Sequence, residues 1–225
     1  PLGNRLSYER IKTNPGHSFS FDEETSFKVK TVPLEKIAKF SLGVKTSNDG
    51  MFILDEKKDK DTFPLLRGKD VFRYRYQYAN KWLWYKPELM MEKVGAGPRK
   101  SEYFLTSKIL FRSITGGSII ATLDEEKYFT NDKVHILYQA DGYDLKLILA
   151  IANSKLIDKW VHSTFGNLLE IKINQLEQIP IPEVRQKYSD IIIKLVDTIL
   201  ELNKKILKVP ENSAQWQKLK DEIAK

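Results

Sequence analysis

Between Arg67 and Lys86, six basic side chains (Arg67, Lys69, Arg73, Arg75, Lys81 and Lys86) stand against one acid, Asp70. Inside that stretch Phe72, Tyr74, Tyr76 and Tyr78 alternate with Arg73, Arg75 and Gln77. A strand turns alternate side chains to opposite faces. The spacing over Val71–Tyr78 therefore predicts one aromatic and one basic face, with Ala79-Asn80-Lys81 turning the chain into a second strand, Trp82–Tyr85. A row of fixed cations is what tracking a phosphate backbone requires. The competing reading is a half-buried hairpin whose aromatic residues are core and whose arginines are only solvated.

Two loops carry side chains suited to base edges. Gly43–Gly50 offers Lys45, Thr46 and Asn48, and Arg112–Ser118 offers Arg112 and Thr115 beside Gly116-Gly117. Lys and Arg donate to guanine, Asn pairs with adenine, and a Thr methyl fits the thymine methyl. The first loop also reads as a plain Asp-Gly hairpin turn.

Catalytic patterns are sparse. The chain has no Gly-x-Ser-x-Gly elbow, no His-Glu-x-x-His and no Gly-Lys-Ser/Thr phosphate loop, and Val94-Gly95-Ala96-Gly97-Pro98 lacks the third glycine of a dinucleotide fingerprint. Its three histidines, His17, His135 and His162, are far apart, and cysteine is absent. Asp158 with Glu170-x-Lys172, in a strand-like run, is a constellation of metal-nuclease type. In a chain rich in Glu and Lys that pattern also arises by chance.

These groups must be positioned by 225 residues with 37 Lys+Arg against 30 Asp+Glu, a net charge of +7. At 41% hydrophobic and 30% charged, the chain has the composition of a globular protein rather than a disordered or membrane one. It holds no apolar run of the ~20 residues a bilayer span needs, and no secretory leader is expected. Zero cysteine fits a reducing, cytoplasmic setting. Residues 1–30 are expected to be a linker or arm, with Pro1-Leu2-Gly3 as a cloning remnant.

Residues 31–140 read mainly as strands and loops, with a short helix over Pro33–Phe40 and β runs at Met51–Leu54, Tyr103–Phe111, Ser118–Thr122 and Val134–Tyr138. Asp144–Phe165 is expected as one helix stopped by Gly166, followed by a strand-like Leu169–Ile173. After the break at Ile179-Pro180-Ile181-Pro182, Tyr188, Ile192, Leu195, Ile199, Leu202, Ile206 and Val209 form a heptad seam. Pro210 ends it. Ser213 is the expected cap of a second helix carrying Trp216, Leu219 and Ile223, with the hairpin cut short at the chain end.

Several segments follow one another in a telling order. Val32-Pro33-Leu34-Glu35-Lys36-Ile37 leads into Gly43-Val44-Lys45-Thr46, and Phe63-Pro64-Leu65-Leu66-Arg67-Gly68-Lys69-Asp70-Val71 runs into the Arg/Tyr stretch. Then come Ala121-Thr122-Leu123-Asp124, Leu145–Ile151 with Asn153-Ser154-Lys155-Leu156, and Gln178-Ile179-Pro180-Ile181-Pro182 before the heptad helix. Over roughly residues 31–225 this resembles the TaqI-like C-terminal specificity (target-recognition) domain of restriction–modification adenine methyltransferases. Single-chain type II enzymes that both cut and methylate are included, and type I specificity subunits are related.

The resemblance implies an α+β fold: a β-rich target-recognition globule with a packed helix over 31–179, then an antiparallel hairpin of spacer helices over 180–225. It implies double-stranded DNA as partner and a methyltransferase domain in the same polypeptide or complex. S-adenosylmethionine, with Mg²⁺ if the parent also cuts, would serve that parent; this chain itself needs no cofactor and is not expected to be an enzyme. No base-contacting residue carries over from the family. The expected DNA-binding set, Lys45, Thr46, Asn48, Arg67, Lys69, Arg73, Arg75, Arg112 and Thr115, comes from charge and loop position. The rival expectations are a metal-dependent nuclease fragment using Asp158, Glu170 and Lys172, and a basic protein-interaction module.

Overall fold

The computed structural model describes Phe27 and residues 29–223; nearly all of the expected arm over 1–30 lies outside them. The chain runs through β1 (Thr31–Pro33), a 3-10 turn at Leu34–Lys36, β2 (Ala38–Leu42), α1 (Asp49–Phe52), β3 (Ile53–Leu54) and β4 (Thr62–Leu66). A 3-10 turn at Gly68–Asp70 precedes β5 (Val71–Phe72), β6 (Arg75–Tyr76), β7 (Trp82–Trp84) and α2 (Pro87–Met91). Next come β8 (Lys108–Arg112), β9 (Ala121–Asp124), β10 (Phe129–Thr130) and β11 (Val134–Ala140). The remainder is α3 (Leu145–Ala152), α4 (Lys155–Phe165), α5 (Ile173–Leu176), β12 (Pro180–Pro182), α6 (Gln186–Ile206) and α7 (Ala214–Ile223).

The centre is an antiparallel sheet in the order β2-β11-β8-β9. Its strands alternate, except at a β-bulge between Leu137 and Gln139 where β11 pairs with β2. Ile109, Phe111 and Leu137 point to a core shared with α3, α4 and α6, while Leu110, Val134 and Ile136 point to a second core. That second core is closed by the sheet β10-β4-β7-β3, through Leu65, Leu83 and Phe129. Burial on both faces explains why these strands read as continuous apolar runs. At the end of β8, Lys108 pairs with Asp124 of β9 at 2.5 Å, both side chains fully buried. Burial pushes the carboxyl of Asp124 up and the ammonium of Lys108 down. Their contact and the N–H groups of Glu126 and Tyr128 on Asp124 offset that cost.

β1 pairs antiparallel with β12, tying residue 31 to residue 182. The α+β class expected from the sequence holds, with a C-terminal helical hairpin. Ser213 Oγ accepts from the Trp216 N–H at 3.1 Å, as expected of a cap. Among the described residues no helix is long and apolar enough to cross a membrane.

Five local expectations are corrected. Pro33–Phe40 is a 3-10 turn followed by a strand, not a helix. Leu169–Ile173 makes only a single bridge, Ile114 to Glu170. The helix expected over Asp144–Phe165 is two helices, α3 and α4, broken at Asn153-Ser154. Ser154 caps α4, and the buried Asn153 amide both accepts from and donates to the Ala121 backbone at 3.0 Å, beside the Tyr74 N–H that also donates to Ala121 O.

The strand expected over Val71–Tyr78 is also broken. β5 and β6 pair with each other across a turn at Arg73-Tyr74, where Tyr74 has φ +58°. β7 pairs with β4 and β3 instead of with the Arg/Tyr stretch. Last, the heptad seam is displaced. Leu202 of the expected seam is buried and Ile192 packs on the core, but Val196, Ser189 and Asn203 beside the seam are buried too, whereas Tyr188 and Leu195 are 55% and 57% exposed.

Candidate functional site

Five loop segments are joined side by side by backbone hydrogen bonds, with Asn131 near the middle. Asn131 follows β10; its N–H donates to Leu66 O, and its Oδ1 accepts from the N–H groups of Gly68 and Lys133 at 3.2 and 3.3 Å. Gly43 donates to Val134 O and Val44 to Thr130 O, at 2.9 and 2.7 Å. Glycine is required at 43, where a Cβ would lie 2.0 Å from Asn131 O, and at 68, where it would lie 2.9 Å from Lys133. Lys45 exchanges both backbone hydrogen bonds with Gly97. On the other side the Ser113 N–H donates to Lys133 O at 3.0 Å, and Thr115 and Gly116 donate to Leu169 O. Segments 95–97, 43–45, 131–133, 67–69 and 112–116 thus form one continuous rim.

Along the rim lies a cleft of about 310 Å³ lined by Arg67, Gly68, Lys69, Arg112, Ile114, Asn131 and Lys133. It carries four cations and no carboxylate. Arg67 is braced from behind by Asp70, whose Oδ2 accepts from its Nε at 3.1 Å and from its backbone N–H at 2.8 Å. The Arg112 Nε donates to Ile114 O at 2.8 Å. Lys69 is exposed, and Lys133 has only Asp132 at 4.0 Å, a separation at which an exposed pair is worth little. Asp70 fixes Arg67 and offsets part of its charge, whereas Arg112 is held by a neutral carbonyl; with Lys69 and Lys133 the cleft keeps a net positive field, which is an anion-binding arrangement. A second crevice, of about 370 Å³ between β6 and α6, is lined by Glu125 and Glu126 as well as Arg75, Lys204 and Lys208, so its field is mixed.

The structure brings together Arg67, Lys69 and Arg112, and adds Lys45 as an exposed side chain farther along the rim. Others of the expected set have contacts of their own. Thr46 is 3% exposed; its hydroxyl bonds Asp49 and accepts the Asn48 N–H, so it cannot reach a base. The exposed Asn48 caps α1, accepting from the Met51 N–H. Thr115 sits on the rim with its hydroxyl buried. Arg73 is half-buried and held against the molecule, its Nη2 on Asp158 at 2.5 Å and its Nε on Ile119 O at 2.8 Å. Arg75 stacks on Phe72 at 4.3 Å and faces α6. The two-faced strip fails because the turn at Arg73-Tyr74 destroys the alternation it assumed.

Reasoning from sequence missed Asn131, Ile114 and Lys133. Thr130-Asn131-Asp132-Lys133 between two β runs is a turn signal, but nothing local announces that the turn joins three other loops.

The nuclease constellation does not assemble. One Asp158 oxygen takes Arg73 and the other takes the Ile119 N–H at 2.9 Å, while Glu170 accepts from Ser113 Oγ. Among the described residues no three of His, Cys, Asp or Glu are grouped to hold a metal ion. His135, beneath the rim, contacts Ile171 O through Nε2 at 2.7 Å. Burial pushes its pKa down, which favours the neutral ring donating from Nε2.

A family model described as the TaqI-like C-terminal specificity domain matches residues 63–181, a span that includes every residue lining the cleft. No curated protein matches the chain. Among solved structures the chain is similar to the HsdS subunit from Thermoanaerobacter tengcongensis, at 15% identity and TM-score 0.51, over 87% of this chain and 43% of that one. It is also similar to the type IIL restriction-modification enzyme MmeI in complex with DNA, at 11% identity and TM-score 0.55, over 87% and 31%. A third, from a type I R-M system, gives 13% identity and TM-score 0.53, over 87% and 42%. These likenesses are of fold, and the chain spans less than half the length of each of the three.

Proposed function

The chain belongs to the TaqI-like C-terminal specificity domain family, and from that premise we propose that it reads a short sequence of duplex DNA with the cationic rim for a restriction–modification enzyme. The observation that carries the reading is the convergence of Arg67, Lys69, Arg112 and Lys133 on one cleft free of carboxylates. A duplex carries one negative charge per roughly 1.7 Å of axis, so a braced cationic cleft complements it. Lys69 and Lys133, flexible and exposed, suit phosphates. Arg67 and Arg112, with guanidinium groups held by Asp70 and Ile114 O, suit directional contacts to base edges.

The domain supplies specificity, and catalysis belongs to other parts of the parent. We place that parent among DNA adenine methyltransferases, including single-chain enzymes that also cut, working in the cytoplasm. Its S-adenosylmethionine, and Mg²⁺ if it cuts, would be held by those other parts. The methyltransferase domain would dock on the exposed apolar stripe Tyr188, Ile191 and Leu195 of α6.

The test is equilibrium binding of the chain to duplex DNA between 50 and 200 mM salt. Each phosphate contact adds about 0.9 to the slope of log affinity against log salt. A slope near 3 or more is expected. An affinity that does not change with salt contradicts the reading.

A further inference from the structure

We propose that Ile114 reads the C5 methyl of a pyrimidine, in unmodified DNA a thymine, from within the cationic cleft; this deepens the DNA-reading role above and rests on it. Ile114 is 44% exposed and lines the cleft among Arg67, Lys69, Arg112 and Lys133. Its backbone is held from several sides. Arg112 Nε donates to its carbonyl, it bridges Glu170, and the preceding Ser113 is fully buried with its N–H on Lys133 O. A β-branched side chain on such a backbone has little rotamer freedom left.

Ile114 therefore presents a fixed apolar surface among four cationic side chains. It offers phosphate nothing, because its side chain has no donor. The one apolar group on the major-groove edge of a base pair is the C5 methyl of thymine. Lys69 and Lys133 would hold the flanking phosphates and bring that edge to Ile114. The other use of an exposed apolar side chain at DNA is as a wedge between base steps. A wedge needs a protruding tip, whereas Ile114 lines a concavity.

The experiment lets the full chain, Ile114→Ala and Ile114→Val each select duplexes from a random pool. In the site recovered by the native chain, each thymine is then replaced by deoxyuridine, and separately each cytosine by 5-methylcytosine. The expected result is one deoxyuridine position that weakens the native chain about fourfold, the worth of one buried methyl. Ile114→Ala should be indifferent at that position and Ile114→Val intermediate. A gain with 5-methylcytosine at one position, again only with the native side chain, would support the same methyl contact with the other methylated pyrimidine as its source. If no replacement separates the native chain from Ile114→Ala, or if Ile114→Ala weakens all duplexes alike as a lost wedge would, the inference is overturned while the DNA-reading role stands. If the native chain enriches no sequence, the DNA-reading role falls too.

Discussion

At the scale of single residues, the environment of a side chain decides its role more than its type does. Arg73 and Arg112 look equivalent in the sequence, yet Arg73 is consumed by Asp158 and Ile119 O, while Arg112 keeps part of its guanidinium toward the cleft. His135 carries a consequence for stability. Burial depresses its pKa below the ordinary 6.5, helped by Lys133 and opposed by Ile171 O, Glu170 and Asp132. The unfolded chain takes up a proton near pH 6.5 that the folded chain refuses. The contribution of neutral His135 is therefore complete above pH 6.5 and is lost as pH falls toward the depressed folded value. Thermal melting at pH 7.5 and 5.5 should show a fall in Tm that is smaller in His135→Gln, whose amide can still donate to Ile171 O. Equal falls in the two proteins would mean that His135 does not titrate on unfolding.

At the scale of elements, periodicity identified α6 but only part of its buried face: Ile192 and Leu202 of the seam turn inward, Tyr188 and Leu195 do not. A seam spaced 4, 3, 4, 3 fits two adjacent stripes of an α-helix when Ile191, Ile192, Ile193, Leu195, Val196, Ile199 and Leu200 crowd together. The neighbours choose between them. α3 and the central sheet take Ile192, Val196 and Leu200, leaving Tyr188, Ile191 and Leu195 outward. Leu195→Asp should therefore leave Tm nearly unchanged, whereas Val196→Asp, 1% exposed, should lower it by roughly 10 °C, equivalent to about 3 kcal/mol in a chain of this size. The reverse order would restore the seam read from the spacing. The same competition explains the divided helix α3–α4. Its apolar spacing continues through Asn153-Ser154, but both side chains have better partners in Ala121 and the N-terminus of α4.

At the scale of the whole molecule, the α+β class, the β-rich first part, the capped C-terminal helix and the family were legible because each rests on local patterns or on segment order. The rim was only half legible. Lys45, Arg67, Lys69 and Arg112 could be named as cations on loops, but their meeting depends on the turn at residues 130–133: Thr130 O takes the Val44 N–H, Asn131 ties Leu66 and Gly68, and Lys133 O takes the Ser113 N–H. Such contacts leave no trace in spacing. The central claim is that this rim, rather than the net charge of +7, holds DNA. The most direct test compares two charge reversals of equal size. Lys69→Glu with Lys133→Glu alters the rim, and Lys204→Glu with Lys208→Glu alters the crevice beside α6. Duplex binding measured across a salt series should show the first pair weakening affinity strongly and flattening the salt slope by about 2, and the second leaving the slope close to the native value. Equal losses from the two pairs would contradict the claim and reduce DNA binding to an effect of overall charge.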